Sequence, residues 1–155
     1  MTDSFREAQW ITAQDYAGLE PLPVFHKELT PLEPAPAALH APELRNYHML
    51  VRGDLPVASL DADEPYILDI TADDYYKLYI NGHFVGQGPA PSNPSHYAYN
   101  RYDVGDYLRV GLNTVAVHVY YQGLINRVWT SGDYRQGLIA ELRAGDEILL
   151  ATDAD

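Results

Sequence analysis

There is no cysteine among the 155 residues. That absence excludes disulfide bridges, thiolate zinc sites and cysteine nucleophiles, and it fits a reducing compartment. Basic residues are few: ten Lys and Arg stand against 22 Asp and Glu, for a formal net charge of −12. So acidic a surface repels phosphate backbones and anionic lipid, which argues against nucleic acid and membrane surfaces as partners. A neutral ligand such as a carbohydrate is compatible with this charge. No apolar run approaches the ~20 residues that span a bilayer. The start, MTDSFREAQWITAQDY, lacks the basic and apolar regions of a secretory signal, so a cytoplasmic location is expected. Helical periodicity is missing as well, since no stretch beyond about two turns repeats at 3.6 residues.

Familiar catalytic motifs are also absent. There is no GxSxG elbow and no P-loop, and the glycines of GHFVGQG follow a hairpin turn rather than opening a helix. None of the histidines at 26, 40, 48, 83, 96 and 118 are spaced as HxH or HExxH, so they read as surface or half-buried side chains. No cofactor or metal is expected.

What the chain does contain is tyrosine, 13 in all, within a hydrophobic fraction of 46%. Tyrosine buries a ring and keeps a polar tip, which suits half-buried strands and contact surfaces. Residues 1–155 read as a single domain with an N-terminal arm over 1–22 and a Pro/Ala-rich loop over 30–44. PVFHKEL (23–29) is a short first strand. NYHMLVRGDL (46–55) alternates His48, Leu50 and Arg52 against Tyr47, Met49 and Val51. PYILDITA (65–72) places Ile67 and its neighbours in a sheet, and YYKLYI (75–80) alternates Tyr76, Leu78 and Ile80 against Tyr75, Lys77 and Tyr79. Asn81-Gly82 then tolerates the positive φ of a type I′ turn, and HFVGQG returns. NRYDV (100–104) is another short strand, and GDYLRVGLN (105–113) is a helical turn or loop. NTVAVHVYYQ (113–122) puts Val115, Val117, Val119 and Tyr121 on one face, and a last hairpin turns through Ala144-Gly145-Asp146. Many short strands with Gly, Pro, Asn and Asp turns mean an all-β antiparallel β-sandwich or jelly roll.

Carboxylates cluster at Asp61, Asp63 and Glu64 and at Asp69, Asp73 and Asp74. They read as turn chemistry and a solvated face, with a calcium site as the weaker alternative. Aromatic residues cluster in two places. Tyr97, Tyr99 and Tyr102 follow the Pro-rich loop, while Tyr120, Tyr121, Trp129 and Tyr134 bracket QGLINRV with its Asn126 and Arg127. Rings beside Asn, Arg or Asp hold sugars by their C–H faces and hydroxyls, and they also serve sandwich packing. Tyr97, Tyr99, Tyr102, Asn126, Arg127, Trp129 and Tyr134 are therefore the candidate carbohydrate-binding or docking residues; no catalytic residue is identified.

LYINGHFVGQGPAP (78–91), YNRYDVGDYL (99–108) and GLNTVAVHVYYQG (111–123) together resemble the N-terminal β-sandwich domain of bacterial α-L-rhamnosidases. That domain shows a strand ending in NG, a returning VG, then GPAP, a YDV strand and a G-x-N strand. AQWITA (8–13) and FHKEL (25–29) resemble its entry segment. The resemblance implies a galactose-binding-like jelly roll within a much larger glycoside hydrolase. There hydrolysis belongs to acidic residues of a separate (α/α)6 barrel, which this chain does not contain. It implies an accessory segment, inactive alone, docked on other domains of the parent enzyme. An independent carbohydrate-binding module and the sugar-binding-like domain of a β-galactosidase-type enzyme are the alternatives. The stiff loop from Gly86 to Tyr102, uncharged as far as Asn100, then reads first as a docking surface, next as a sugar site, and otherwise as part of the fold.

Overall fold

The computed structural model describes residues 4–20, 42–92, 96–123 and 135–153. Among these lie β1 (Tyr47–Val57), β2 (Tyr66–Asp73), β3 (Tyr75–Ile80), β4 (His83–Gly88), β5 (Asn100–Asp103), β6 (Gly111–Tyr121), β7 (Gly137–Ala144) and β8 (Glu147–Ala151). They pair as two four-stranded antiparallel sheets, in the orders β1-β6-β3-β4 and β5-β2-β7-β8. The helices among the described residues are short 3-10 turns, at Gln14–Tyr16, Pro42–Leu44 and Gly105–Tyr107. None of them is long and apolar enough to cross a membrane. The strand expected at 23–29 and nearly all of the 30–44 loop fall outside the described residues.

The core follows from strand alternation, because a period of two puts every second side chain between the sheets. Val115, Val117 and Val119 of β6, Tyr76, Leu78 and Ile80 of β3, and Leu68, Ile70 and Ala72 of β2 all pack into one apolar cluster. In β2 the core positions are thus one register from Ile67. Strand β6 begins at Gly111, two residues earlier than its valine run indicates, since Gly111 takes a positive φ of 103° that lets the chain turn into the strand.

The expected hairpin is present. Asn81 and Gly82 have φ of 51° and 83°, as a type I′ turn requires. The asparagine does more than turn. Its Nδ2 donates to Asn113 Oδ1 at 2.8 Å and to the Tyr107 carbonyl at 2.9 Å, while its Oδ1 accepts from Thr114 N at 3.0 Å. Asn113 is fully buried and also clasps the loop before β6. Its Oδ1 accepts from Arg109 N at 2.9 Å, and its Nδ2 donates to the Arg109 carbonyl at 2.7 Å. The asparagines of the NG and G-x-N motifs are therefore partners.

The other motif residues are packing partners too. A Cβ at Gly86 would lie 2.6 Å from the Tyr102 ring, so this strand glycine gives the ring its place. The Tyr102 hydroxyl meets that of buried Tyr76 at 3.1 Å, and Val104 is wholly buried. Burial pushes the Tyr76 hydroxyl pKa well above its usual value.

Asn113→Ala removes the centre of this network and leaves buried backbone and amide groups without partners. We expect a loss of about 2–3 kcal/mol, read from the urea midpoint of the purified chain. An unchanged midpoint would show that the network contributes nothing.

Candidate functional site

The outward face of the β5-β2-β7-β8 sheet carries charge, and the N-terminal arm covers it. Asp69 of β2 is fully buried between two guanidinium groups. Arg101 of β5 donates to it from Nε at 2.7 Å and from Nη2 at 2.9 Å, and Arg143 of β7 donates from Nη1 at 2.7 Å. Burial pushes the Asp69 carboxyl pKa up, but the hydrogen bonds and charges of Arg101 and Arg143 outweigh it and hold the pKa below the ordinary value. Glu141, opposite Asp69 on β7, is equally buried. Its Oε2 accepts from the backbone N–H of Glu7 at 2.8 Å and of Ala8 at 3.1 Å. Burial raises its pKa too, and these backbone donors with the Arg143 charge bring it below the ordinary value. Both carboxylates are thus fixed as anions, which suits holding the arm rather than donating a proton.

This arrangement corrects the reading of the acidic clusters. Asp69, Asp73 and Asp74 are not a solvated face: all three are buried. Asp73 Oδ2 accepts from Tyr97 Oη at 2.7 Å, and Asp74 Oδ2 accepts from Gln122 N at 2.7 Å. Turn chemistry holds only at the first cluster, where Asp61 Oδ1 accepts from Asp63 N at 2.9 Å. Among the described residues no three His, Asp or Glu side chains come together as metal ligands do.

The arm brings aromatic rings to the loop that follows β4. Trp10 meets Tyr97 edge-on with centroids 5.3 Å apart, and Phe5 meets Tyr99 edge-on at 5.7 Å. Arg101 lies over the Tyr99 ring at 5.8 Å. The loop is also pinned by Thr71, whose Oγ1 donates to the Ala98 carbonyl at 2.7 Å. Trp10 remains 48% exposed and Tyr99 42% exposed. The result is two edge-on ring pairs, with the Arg101 guanidinium over one of them. The arm itself is bound along the sheet edge, where Ile11 and Leu138 exchange both backbone hydrogen bonds at 2.9 Å. Farther along, Tyr16 is fully buried and donates to the Leu44 carbonyl at 2.6 Å.

The three described candidate tyrosines therefore separate. Tyr99 stands at the surface, Tyr97 is half-buried between Trp10 and Asp73, and Tyr102 points inward against the core. Asn126, Arg127, Trp129 and Tyr134 lie outside the described residues. Sequence spacing did not bring out Phe5, Trp10 and Arg101 as neighbours of these tyrosines, because Arg101 reads as one residue of a short strand and residues 1–22 as an arm without strand periodicity. The only signal was the pairing of the AQWITA entry segment with the strand motifs.

No protein-family model matches the chain, and no curated protein sequence does. Among solved structures, it is similar to a GH78 family rhamnosidase of Bacillus sp. GL1, at 37% identity and TM-score 0.70, over 96% of this chain and 13% of that one. An α-L-rhamnosidase from Aspergillus terreus is 27% identical with TM-score 0.51, over 70% of this chain and 14% of that one. A Pleurotus ostreatus lectin solved with GalNAc shares the fold at 21% identity and TM-score 0.50, over 97% of this chain and 34% of its own. The chain thus spans only a small part of the length of the rhamnosidases it matches. The resemblance read from the NG, GPAP, YDV and G-x-N motifs is borne out at the level of a rhamnosidase domain.

Asp69→Asn breaks the buried ion cluster, and we expect a loss on the order of 3 kcal/mol in chemical denaturation. Both carboxyl pKa values are depressed in the fold, so their contribution is present above the unfolded values of 3.8 and 4.5 and fades as pH falls through and below them. The melting temperature of the parent chain should drop across that acid range more steeply than that of Asp69→Asn. Parallel curves would contradict the assignment.

Proposed function

We propose that this chain, matched over nearly its whole length by part of a GH78 family rhamnosidase, is a non-catalytic β-sandwich domain of a larger α-L-rhamnosidase. Its work is to dock on the rest of that enzyme, which hydrolyses terminal α-L-rhamnosides. The observation that carries this reading is the combination of 37% identity over 96% of the chain with coverage of only 13% of the relative. The two buried carboxylates support it from the chemistry. A glycosidase places a proton-donating acid and a second carboxyl on either side of a bond, whereas Asp69 and Glu141 are held as anions inside the domain's own hydrogen bonds.

The Trp10–Tyr97 and Phe5–Tyr99 pairs are the docking surface in this reading. Exposed rings held by a packed arm keep their shape before contact, so little freedom is lost on binding. Direct binding of a carbohydrate on the same rings is the second reading. It draws on the rings beside Arg101 and Asp73 and on a fold shared with a lectin solved with GalNAc.

The purified chain should not hydrolyse p-nitrophenyl α-L-rhamnoside, while the longer enzyme carrying it should. Turnover that persists through repeated purification of the chain alone would refute the non-catalytic assignment. Tyr99→Ala should leave the isolated chain's stability nearly unchanged and lower that of the whole enzyme by about 1–2 kcal/mol, the scale of a ring lost from a packed interface. Should calorimetry instead find L-rhamnose or GalNAc binding to the isolated chain that Tyr99→Ala abolishes, the sugar-binding reading replaces docking.

A further inference from the structure

The outward face of the other sheet carries a side-chain pair that sequence spacing conceals. His48 of β1 and His118 of β6 are 70 residues apart, yet Nδ1 of the first and Nε2 of the second lie 2.8 Å apart. The strand register explains the meeting. His48 sits opposite Tyr120 and His118 opposite Leu50, so the two histidines are diagonal neighbours on one face, within reach of long side chains. The His48 ring is tilted 34° to that of His118, and Tyr120 packs on it at 5.0 Å. Tyr120 is itself tied down, since its hydroxyl donates to Asn46 Oδ1 at 2.7 Å. The His48 ring is therefore held in place before any ligand arrives. His48 is exposed and His118 half-buried, so the pair is open to solvent.

Two nitrogens at this separation have a coordination meaning. A metal–nitrogen bond of about 2.0 Å with a right angle between ligands requires a nitrogen–nitrogen distance of about 2.8 Å, whereas a tetrahedral angle requires about 3.3 Å. We infer that His48 and His118 form a two-nitrogen site for a divalent transition-metal ion of square-planar or octahedral preference, Cu2+ or Ni2+, with water filling the other positions. At rest the two ring nitrogens share one hydrogen. Binding needs the tautomers with protons on His48 Nε2 and His118 Nδ1, which leaves both facing lone pairs for the ion and releases no net proton from the neutral pair. Lys77 lies opposite His118 on β3 and is exposed, so its ammonium opposes the ion, while Arg52, diagonal to His118 on β1, is paired with Asp54.

The test is calorimetric titration of the chain with Cu2+ alone in a non-chelating buffer at neutral pH. One ion per chain should bind. His48→Gln and His118→Asn should each weaken binding tenfold or more, and His83→Gln, an exposed histidine on β4, should leave it unchanged. Lys77→Ala should tighten binding several-fold, a change that loss of folding cannot mimic. Paramagnetic resonance of the Cu2+ complex should show two imidazole nitrogens. Absence of uptake, or uptake that survives both histidine variants, would overturn the site.

Discussion

Asn81 and Asn113 hold each other through a 2.8 Å hydrogen bond between side chains 32 residues apart, and the β1-β6-β3-β4 sheet depends on that contact. Asn81 turns the β3–β4 hairpin and at the same time accepts from the backbone of β6. Asn113 starts the buried part of β6 and fixes both ends of the loop from Arg109 to Gly111. A buried amide is costly unless each donor and acceptor is satisfied, and here nearly every one is. The central strand β6 pairs with β1 on one side and β3 on the other, so locking its start sets the register of three strands at once.

The second sheet is organised by charge rather than by amides. Asp69, Glu141 and Arg143 would be poor outward residues if left dry and unpaired. The arm resolves this by capping Glu141 with backbone N–H groups while Arg101 and Arg143 neutralise Asp69. Holding the arm then places Phe5 and Trp10 against Tyr99 and Tyr97. The ion cluster and the exposed ring pairs are thus one construction: the first positions the arm, and the arm positions the second.

The two outer faces differ for the same reason. One is covered by the arm and presents rings only along its rim. The other is bare among the described residues and carries His48, His118, Tyr120 and Lys77 in facing registers. In a chain with a formal charge of −12, that bare face holds Arg52 and Lys77 against Asp54 as its strand charges, so it is locally close to neutral. Anions are therefore not crowded around the histidine pair.

The strands of this protein were legible in its sequence because strand burial has a period of two, and β3, β6 and the Asn81-Gly82 turn display it openly. The motifs that signalled a rhamnosidase domain were legible as well, although their physical meaning was not. NG, VG, YDV and G-x-N read as separate local signals, and only the packed fold shows that Asn81 needs Asn113 and that Gly86 makes room for Tyr102. Charge was misread for the same reason. Asp69, Asp73 and Asp74 look like solvent residues until Arg101, Arg143, Tyr97 and the arm arrive from distant parts of the chain. The separation of Tyr97, Tyr99 and Tyr102, the ring pairs with Phe5 and Trp10, and the meeting of His48 with His118 were likewise decided in three dimensions. Local sequence dictates alternation and turn geometry through backbone sterics, whereas which side chains share a face across strands depends on register and sheet order, and these are set by long-range contacts.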